Sequence, residues 1–340
     1  MASSTWPDLA SMDAEFKAFY DKAGPLPKPD VTNIPMSTIR AMGAANHTPV
    51  PGVNVPIHMD GVEKSRISIP VRDGSSIEAL LYQPTNPPKE GSPLFVAYHG
   101  GGWCLGVPEF EEVNCVNTVQ RHGAVALSIA YRLAPEHPFP IPVHDSWDAL
   151  KWIAAHASDL KATPSRGFVI HGESAGGNIA VVLALLARDE ALSPALTGLS
   201  ACIPAVLRAD VVPERFKADY VSWTQNAEAP GLDQKGMEFV ISHYKPDKSP
   251  LFNPFNWETG LKGLPPTFVQ VCGLDPLRDE GLLFERLLRE ECGTPTKLTV
   301  YPGVPHAVWS FFPHLEVSKK AVENAAEGFG WLFANGAPGS

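Results

Sequence analysis

From residue 93 onward, short apolar runs alternate with longer stretches whose apolar residues recur every three to four positions. The apolar runs at 94–98, 124–130, 168–171, 199–203, 267–271 and 297–301 read as strands. Helical stretches at 111–120, 143–155, 175–186, 280–291 and 316–333 fall between or after them. Strands that are apolar throughout are buried on both faces, so the pattern predicts an α/β fold with a mostly parallel sheet flanked by helices. Two earlier strand-like runs, 65–71 and 76–82, are separated by Asp73-Gly74, a hairpin signal.

Two segments break the rhythm. Residues 1–60 carry helical patterns near 8–22 and 35–45, separated by Pro25, Pro27 and Pro29 and closed by a Pro/Gly stretch at 49–52. Residues 205–262 are rich in aromatics and prolines but have little strand–helix alternation. The chain therefore divides into an N-terminal segment (1–60), a core (61–204), an insertion (205–262) and the rest of the core (263–340). The two irregular segments are expected to form a second layer over one end of the sheet.

Composition narrows the function classes. At 340 residues, with 44% hydrophobic and 19% charged, the chain can bury a sizeable core. The 27 basic and 37 acidic residues give a net charge of −10, which repels phosphate backbones and argues against nucleic-acid binding. No apolar run approaches the ~20 residues of a spanning helix, and no basic amphipathic helix is apparent, so no membrane association is expected. The first eight residues lack a basic region followed by an apolar one. The five cysteines, Cys104, Cys115, Cys202, Cys272 and Cys292, are scattered and odd in number. Both features point to a cytoplasmic protein with reduced thiols. No histidine pair has metal-ligand spacing with a carboxylate, so neither a metal nor a cofactor is expected.

The strongest chemical signal is Gly172-Glu173-Ser174-Ala175-Gly176-Gly177, a G-x-S-x-G pattern between an apolar run and a helix-forming one. That context is a nucleophile elbow. A sharp strand-to-helix turn presents the serine oxygen at the sheet edge, and small flanking residues let the chain double back. His99-Gly100-Gly101-Gly102-Trp103 follows the 94–98 strand and suggests an oxyanion site, to which the N–H of Ala175 would contribute. His306 follows the last strand and is the candidate base, favoured over His314. Asp275 follows the 267–271 strand and is the candidate acid, favoured over Asp279, whose place at a helix start suits a cap. The chain order Ser174, Asp275, His306 is that of elbow-type hydrolases. Trp103 and Leu105 would wall the substrate site. Phe16, Phe19, Tyr20, Phe216, Tyr220, Trp223, Met237 and Phe239 would roof it, with about half of them packing the cap itself.

Together these motifs, with Tyr131-Arg132-Leu133-Ala134-Pro135-Glu136-His137-Pro138-Phe139-Pro140, Gly177-Asn178 and Asp275-Pro276-Leu277-Arg278-Asp279, resemble the hormone-sensitive-lipase-like family of α/β-hydrolases, the family IV esterases. The resemblance spans about residue 60 to the C-terminus. It implies the α/β-hydrolase fold with a helical cap built from the N-terminus and the insertion. It assigns the oxyanion donors to Gly101, Gly102 and Ala175, and makes the 131–140 segment a support beneath the oxyanion loop. Relatives often dimerise, so a homodimer is compatible with it. Two departures stand out: Glu173, where Asp or Thr is commoner, and Ala307-Val308, where many relatives have a small residue followed by Phe. The expected function is serine carboxylester hydrolysis of small, partly apolar esters. The alternatives are an acyltransferase or cyclase using the same triad, a non-catalytic receptor (against which the retained His306 argues) and a pure interaction protein.

Overall fold

The computed structural model describes residues 5–24, 34–45 and 57–336, and eight strands within them form a single sheet. They are β1 (Val62–Pro70), β2 (Ser76–Pro84), β3 (Leu94–Tyr98), β4 (Val125–Ala130), β5 (Phe168–Glu173), β6 (Gly198–Cys202), β7 (Thr267–Leu274) and β8 (Thr296–Pro305). Their order is β1-β2-β4-β3-β5-β6-β7-β8. β2 runs antiparallel to both its neighbours, and every pairing from β4 to β8 is parallel. The expected hairpin joins β1 to β2, with Pro70 opposite Ser76.

The helices are α1 (Ala14–Ala23), α2 (Met36–Ala45), α3 (Glu112–His122), α4 (Ile141–Ala155), α5 (Ala175–Asp189), α6 (Ser222–Gln225), α7 (Gln234–Tyr244), α8 (Arg278–Glu290), α9 (Val308–Phe311) and α10 (Glu316–Gly336). Alternate residues of the buried strands serve opposite layers, as the two-residue strand period requires. Phe95, Val169 and Phe268 pack with Val116 and Val119 of α3 and Phe329 and Leu332 of α10. Val96, Ile170 and Val269 pack with Ile153 of α4, Ile179 of α5 and Leu283 of α8. Among the described residues, no helix is long and apolar enough to cross a membrane. The five cysteines are free thiols, and all but Cys292 are buried.

The helical pattern expected near 8–22 is broken in two. A 3-10 turn (Trp6–Ala10) comes first, and α1 starts afresh where the Asp13 side chain accepts from Glu15 N at 2.9 Å and Phe16 N at 3.0 Å. An N-terminal cap of that kind satisfies two otherwise orphaned donors, so it fixes the boundary. The insertion holds α6, α7 and 3-10 turns, in keeping with its weak alternation. Helix α7 lies on the glycine loop at 99–103. Its Tyr244 ring stacks on Trp103 at 4.7 Å with an interplanar angle of 2°.

Candidate active site

Register brings the motif-bearing loops to one edge of the sheet. β3 pairs with β5 so that Tyr98 lies opposite Gly172, setting His99-Gly100-Gly101 beside the elbow. β7 pairs with β8 so that Leu274 lies opposite Pro305, setting Asp275 beside His306.

Ser174 sits at φ 55°, ψ −114°, between the end of β5 and the first residue of α5. A non-glycine residue with positive φ is costly and persists only where its surroundings impose it. Here Ser174 N donates to Cys202 O at 2.8 Å. The elbow also requires bare backbone at its flanks: a Cβ on Gly172 would collide with the Gly176 carbonyl, and one on Gly176 with the Tyr98 carbonyl. Ser174 Oγ lies 2.9 Å from His306 Nε2, and His306 Nδ1 lies 2.7 Å from Asp275 Oδ2. All three side chains are buried, Asp275 completely. Asp275 Oδ1 accepts from Leu277 N at 2.8 Å, so both carboxylate oxygens are engaged. An Nδ1–H directed at that carboxylate leaves Nε2 as an acceptor toward Ser174.

The two residues set aside by the sequence reading have other places. Asp279 accepts from Val221 N (2.8 Å), Ser222 N (2.6 Å) and Arg278 Nε (2.7 Å), and so anchors the start of α6. His314 packs against the Phe19 ring at 5.1 Å.

The glycine loop abuts the nucleophile: a Cβ placed on Gly100 would lie 3.5 Å from Ser174 Cβ. Among the described residues, the N–H groups of Gly101, Gly102 and Ala175 have no acceptor. Gly102, at φ +60°, is pressed by α7, and a Cβ there would meet the Val240 side chain at 2.8 Å. The 131–140 segment supports this loop. The Tyr131 hydroxyl donates to His99 O at 2.6 Å, and its ring stacks on His99 at 4.3 Å. Arg132 makes paired bonds to Asp145 at 2.8 and 2.7 Å.

Four contributors escaped the sequence reading. Arg40 of α2 donates to Cys104 O, Ala134 O and the Glu136 carboxylate, fastening the N-terminal segment to the loop. Asn226 donates to the backbone carbonyl of Asp275 at 2.9 Å. Trp309 Nε1 donates to Glu173 Oε2 at 2.7 Å. Glu280 is buried and accepts from Val206 N and, at 2.6 Å, Leu207 N. Arg40 and Asn226 have no local sequence signature, because each acts on chain more than 45 residues away.

Burial raises the Glu173 carboxyl to about 7, and the negative charge of Glu111 adds to the rise. The Trp309 hydrogen bond and the imidazoles of His306 and His171 oppose it. The folded value exceeds the ordinary 4.5. The contribution of Glu173 to stability is therefore complete below about pH 4.5 and is lost as pH rises through about 7. Glu173→Gln cannot ionise. It is expected to gain stability relative to the parent chain across that window, by up to about 3 kcal/mol at its upper end. Thermal unfolding of both proteins from pH 4.5 to 7.5 checks this, and a pH-independent difference would refute it.

A cavity of about 350 Å³ lies beside the glycine loop, lined by neighbours of the three-residue cluster but by none of Ser174, Asp275 and His306 themselves. Its wall includes Trp103 of the glycine loop, Ala205, whose N–H faces Ser174 O at 3.4 Å, and Leu277. Trp223, Tyr220 and Met237 of the insertion line it. Leu105 is absent from its lining. Phe16 and Phe19 instead pack on Phe312, at 5.2 and 5.3 Å between ring centroids, and Phe216 packs on Phe255. Glu280 also lines the cavity, and burial pushes its carboxyl well above the usual range, toward the neutral form.

Comparison with known proteins agrees with this architecture. A family model described as the alpha/beta hydrolase fold matches residues 95–310. The chain is similar to an AB hydrolase superfamily protein of Schizosaccharomyces pombe, with 39% identity over 329 residues, 96% of this chain and 95% of that one. It is also similar to the versiconal hemiacetal acetate esterase of Dothistroma septosporum, with 34% identity over 78% of this chain and 82% of that one. Among solved structures, a vibralactone cyclase superimposes with a TM-score of 0.87 at 32% identity, over 97% of both chains. With its core matched by the family model and nearly its whole length by the yeast relative, the chain belongs to the α/β-hydrolase family, in the hormone-sensitive-lipase-like branch of esterase-type hydrolases.

Proposed function

We propose that the chain is a serine carboxylester hydrolase for small, partly apolar esters, with Ser174, His306 and Asp275 as its catalytic triad. The observation that carries this reading is the continuous hydrogen-bonded line from Ser174 Oγ through the His306 ring to Asp275; a cavity lies next to it, reached through Trp103, Ala205 and Leu277. Ser174 Oγ attacks the ester carbonyl while His306 Nε2 takes its proton. Asp275 holds the imidazole in the Nδ1–H tautomer and stabilises the imidazolium that forms. The N–H groups of Gly101, Gly102 and Ala175 receive the developing oxyanion; because they have no other acceptor, no existing bond need break. His306 then protonates the departing alcohol, and a water molecule activated by the same imidazole releases the acid.

The cavity argues for substrate size. At about 350 Å³ it lies near the small end of ligand pockets and suits a short to medium acyl or alcohol part. The mainly apolar walls penalise charged esters through desolvation; of the charged side chains that also line the cavity, Arg208 is paired with Asp210 at 2.8 Å, Glu280 is held toward neutrality, and Glu238 adds negative charge. Hydrolysis of an acyl series tests this. Acetyl to roughly octanoyl esters are expected to exceed palmitoyl by at least about tenfold in kcat/KM. Faster turnover of emulsified long-chain triacylglycerol would overturn the assignment.

Acyl transfer or cyclisation is the second reading, favoured by the likeness to the solved vibralactone cyclase. The same acyl-enzyme would then be opened by a hydroxyl of the substrate or of an acceptor instead of water. Product analysis with and without added alcohols separates the two readings.

A further inference from the structure

We infer that Glu173 is a positioning residue, which braces the nucleophile against the base through Trp309. The inference rests on the triad reading above and deepens it. Glu173 immediately precedes Ser174, and Trp309 follows His306 by three residues. The Trp309 Nε1–H···Oε2 Glu173 bond of 2.7 Å therefore ties the end of β5 to the start of α9, across 136 positions of sequence. His306 needs such a tie. It lies on a tight turn between β8 and α9, with Ala307 at φ 52°, and no regular element continues through it. Asp275 fixes the ring from one side, whereas the Trp309 bond fixes the turn that carries it.

Glu173 also touches the third limb of the site. A Cβ on Gly100 would lie 3.2 Å from the Glu173 carbonyl oxygen and 3.7 Å from its Oε1. One residue thus abuts the oxyanion loop, continues into the nucleophile and reaches the turn that bears the base. The charged and titratable groups around its carboxyl are Glu111 at the N-terminus of α3, His171 on β5 and His306. Glu111 and His171 are engaged with each other at 3.2 Å, which leaves Trp309 as the side chain that hydrogen-bonds Glu173 among the described residues. Length matters in this geometry: aspartate, one methylene shorter, would retain the charge but fall short of the indole N–H.

Kinetics of Glu173→Asp, Glu173→Leu, Glu173→Gln, Trp309→Phe and the Glu173→Leu/Trp309→Phe double variant test the brace, with active-site titration by an organophosphate counting competent serines. Glu173→Asp, Glu173→Leu and Trp309→Phe are each expected to lose about 10- to 100-fold in kcat with KM changed less than about threefold, because misplacing a base by a fraction of an ångström slows chemistry rather than binding. Glu173→Gln keeps an acceptor for the indole and is expected to recover most of the kcat lost in Glu173→Leu. The double variant is expected to be no slower than the slower single one, since both remove the same bond. A parental rate in Glu173→Asp, or multiplicative losses in the double variant, would overturn the brace. If Trp309→Phe does not fold, the comparison of Glu173→Asp with Glu173→Gln decides: a slow Gln beside a fast Asp would make the role one of charge. Retained hydrolysis in Ser174→Ala would instead defeat the triad reading, so the two failures are distinguishable.

Discussion

Ser174→Ala is expected to lower kcat on any accepted ester by on the order of 10⁴ to 10⁶, while the protein stays folded. The size of the loss follows from the geometry. Among the described residues, Ser174 and Ser200 each lie within reach of an imidazole whose far side meets a buried carboxylate, but Ser200 is fully buried within β6, which leaves the Ser174 hydroxyl at the elbow as the nucleophile candidate. Without it, the N–H groups proposed as oxyanion donors would still be in place, so residual catalysis above water is expected and KM should change little. Stability should barely move. The hydroxyl makes one hydrogen bond, and alanine occupies the same space at the same strained φ of 55°. A Tm shift of no more than about 2 °C is expected. Parallel kinetics and thermal unfolding check both halves. Undiminished kcat in the variant would remove Ser174 from the mechanism.

The parts of this site that were legible in sequence are those written into local pattern. Ser174, His99–Trp103 and Asp275 each follow a buried strand, and His306 follows the half-exposed edge strand β8. Every strand from β4 to β8 is parallel, so the ends of all of them face one edge. Strand rhythm alone therefore implies their convergence. The last strand was expected to stop at 301, but it runs to Pro305, and so delivers His306 directly beside Leu274 and Asp275.

What sequence did not reveal depends on tertiary packing of irregular chain. The aromatic residues of the N-terminal segment were expected to roof the cavity, yet Phe16 is buried against Phe312 on the flank of β8. Apolar character says that a ring will be buried but not beneath which layer. In the insertion, Tyr220, Trp223 and Met237 reach the cavity, while Phe216 packs on Phe255 of the same segment. Arg40 is a lone cation in a mildly amphipathic helix, and its attachment to the glycine loop and to Glu136 becomes visible only in three dimensions. That contact also explains a motif that triad chemistry leaves unexplained. The 131–140 segment holds the loop from below through Tyr131 and receives the cap from above through Ala134 and Glu136.

Two aspartates four positions apart are expected to fail in opposite ways when each becomes asparagine. Asp275→Asn keeps the shape of the side chain, but its amide can donate to His306 Nδ1. That favours the tautomer with the proton on Nε2, where it cannot accept from Ser174, and kcat should fall by about 10⁴ with KM little changed. Asp279→Asn leaves the triad in place and strikes the cap anchor. One carboxylate oxygen of Asp279 takes Arg278 Nε, and the other takes the N–H groups of Val221 and Ser222. An amide can present an oxygen to only one of these partners. Either the fully buried Arg278 loses its counter-ion or two buried N–H groups meet an amide N–H. Breaking a buried pair from one side costs about 3 kcal/mol, which in a chain of this length lowers Tm by about 4 °C. Its kcat, measured well below that transition, should fall by less than about tenfold, because Arg278 retains Gly273 O and Gln225 Oε1 as acceptors and the loop bearing Asp275 remains held by Asn226. Steady-state kinetics and thermal unfolding of the two variants, measured side by side, separate catalysis from anchoring. A larger kcat loss in Asp279→Asn than in Asp275→Asn would transfer the acid role to Asp279 and break the line of hydrogen bonds on which the mechanism rests.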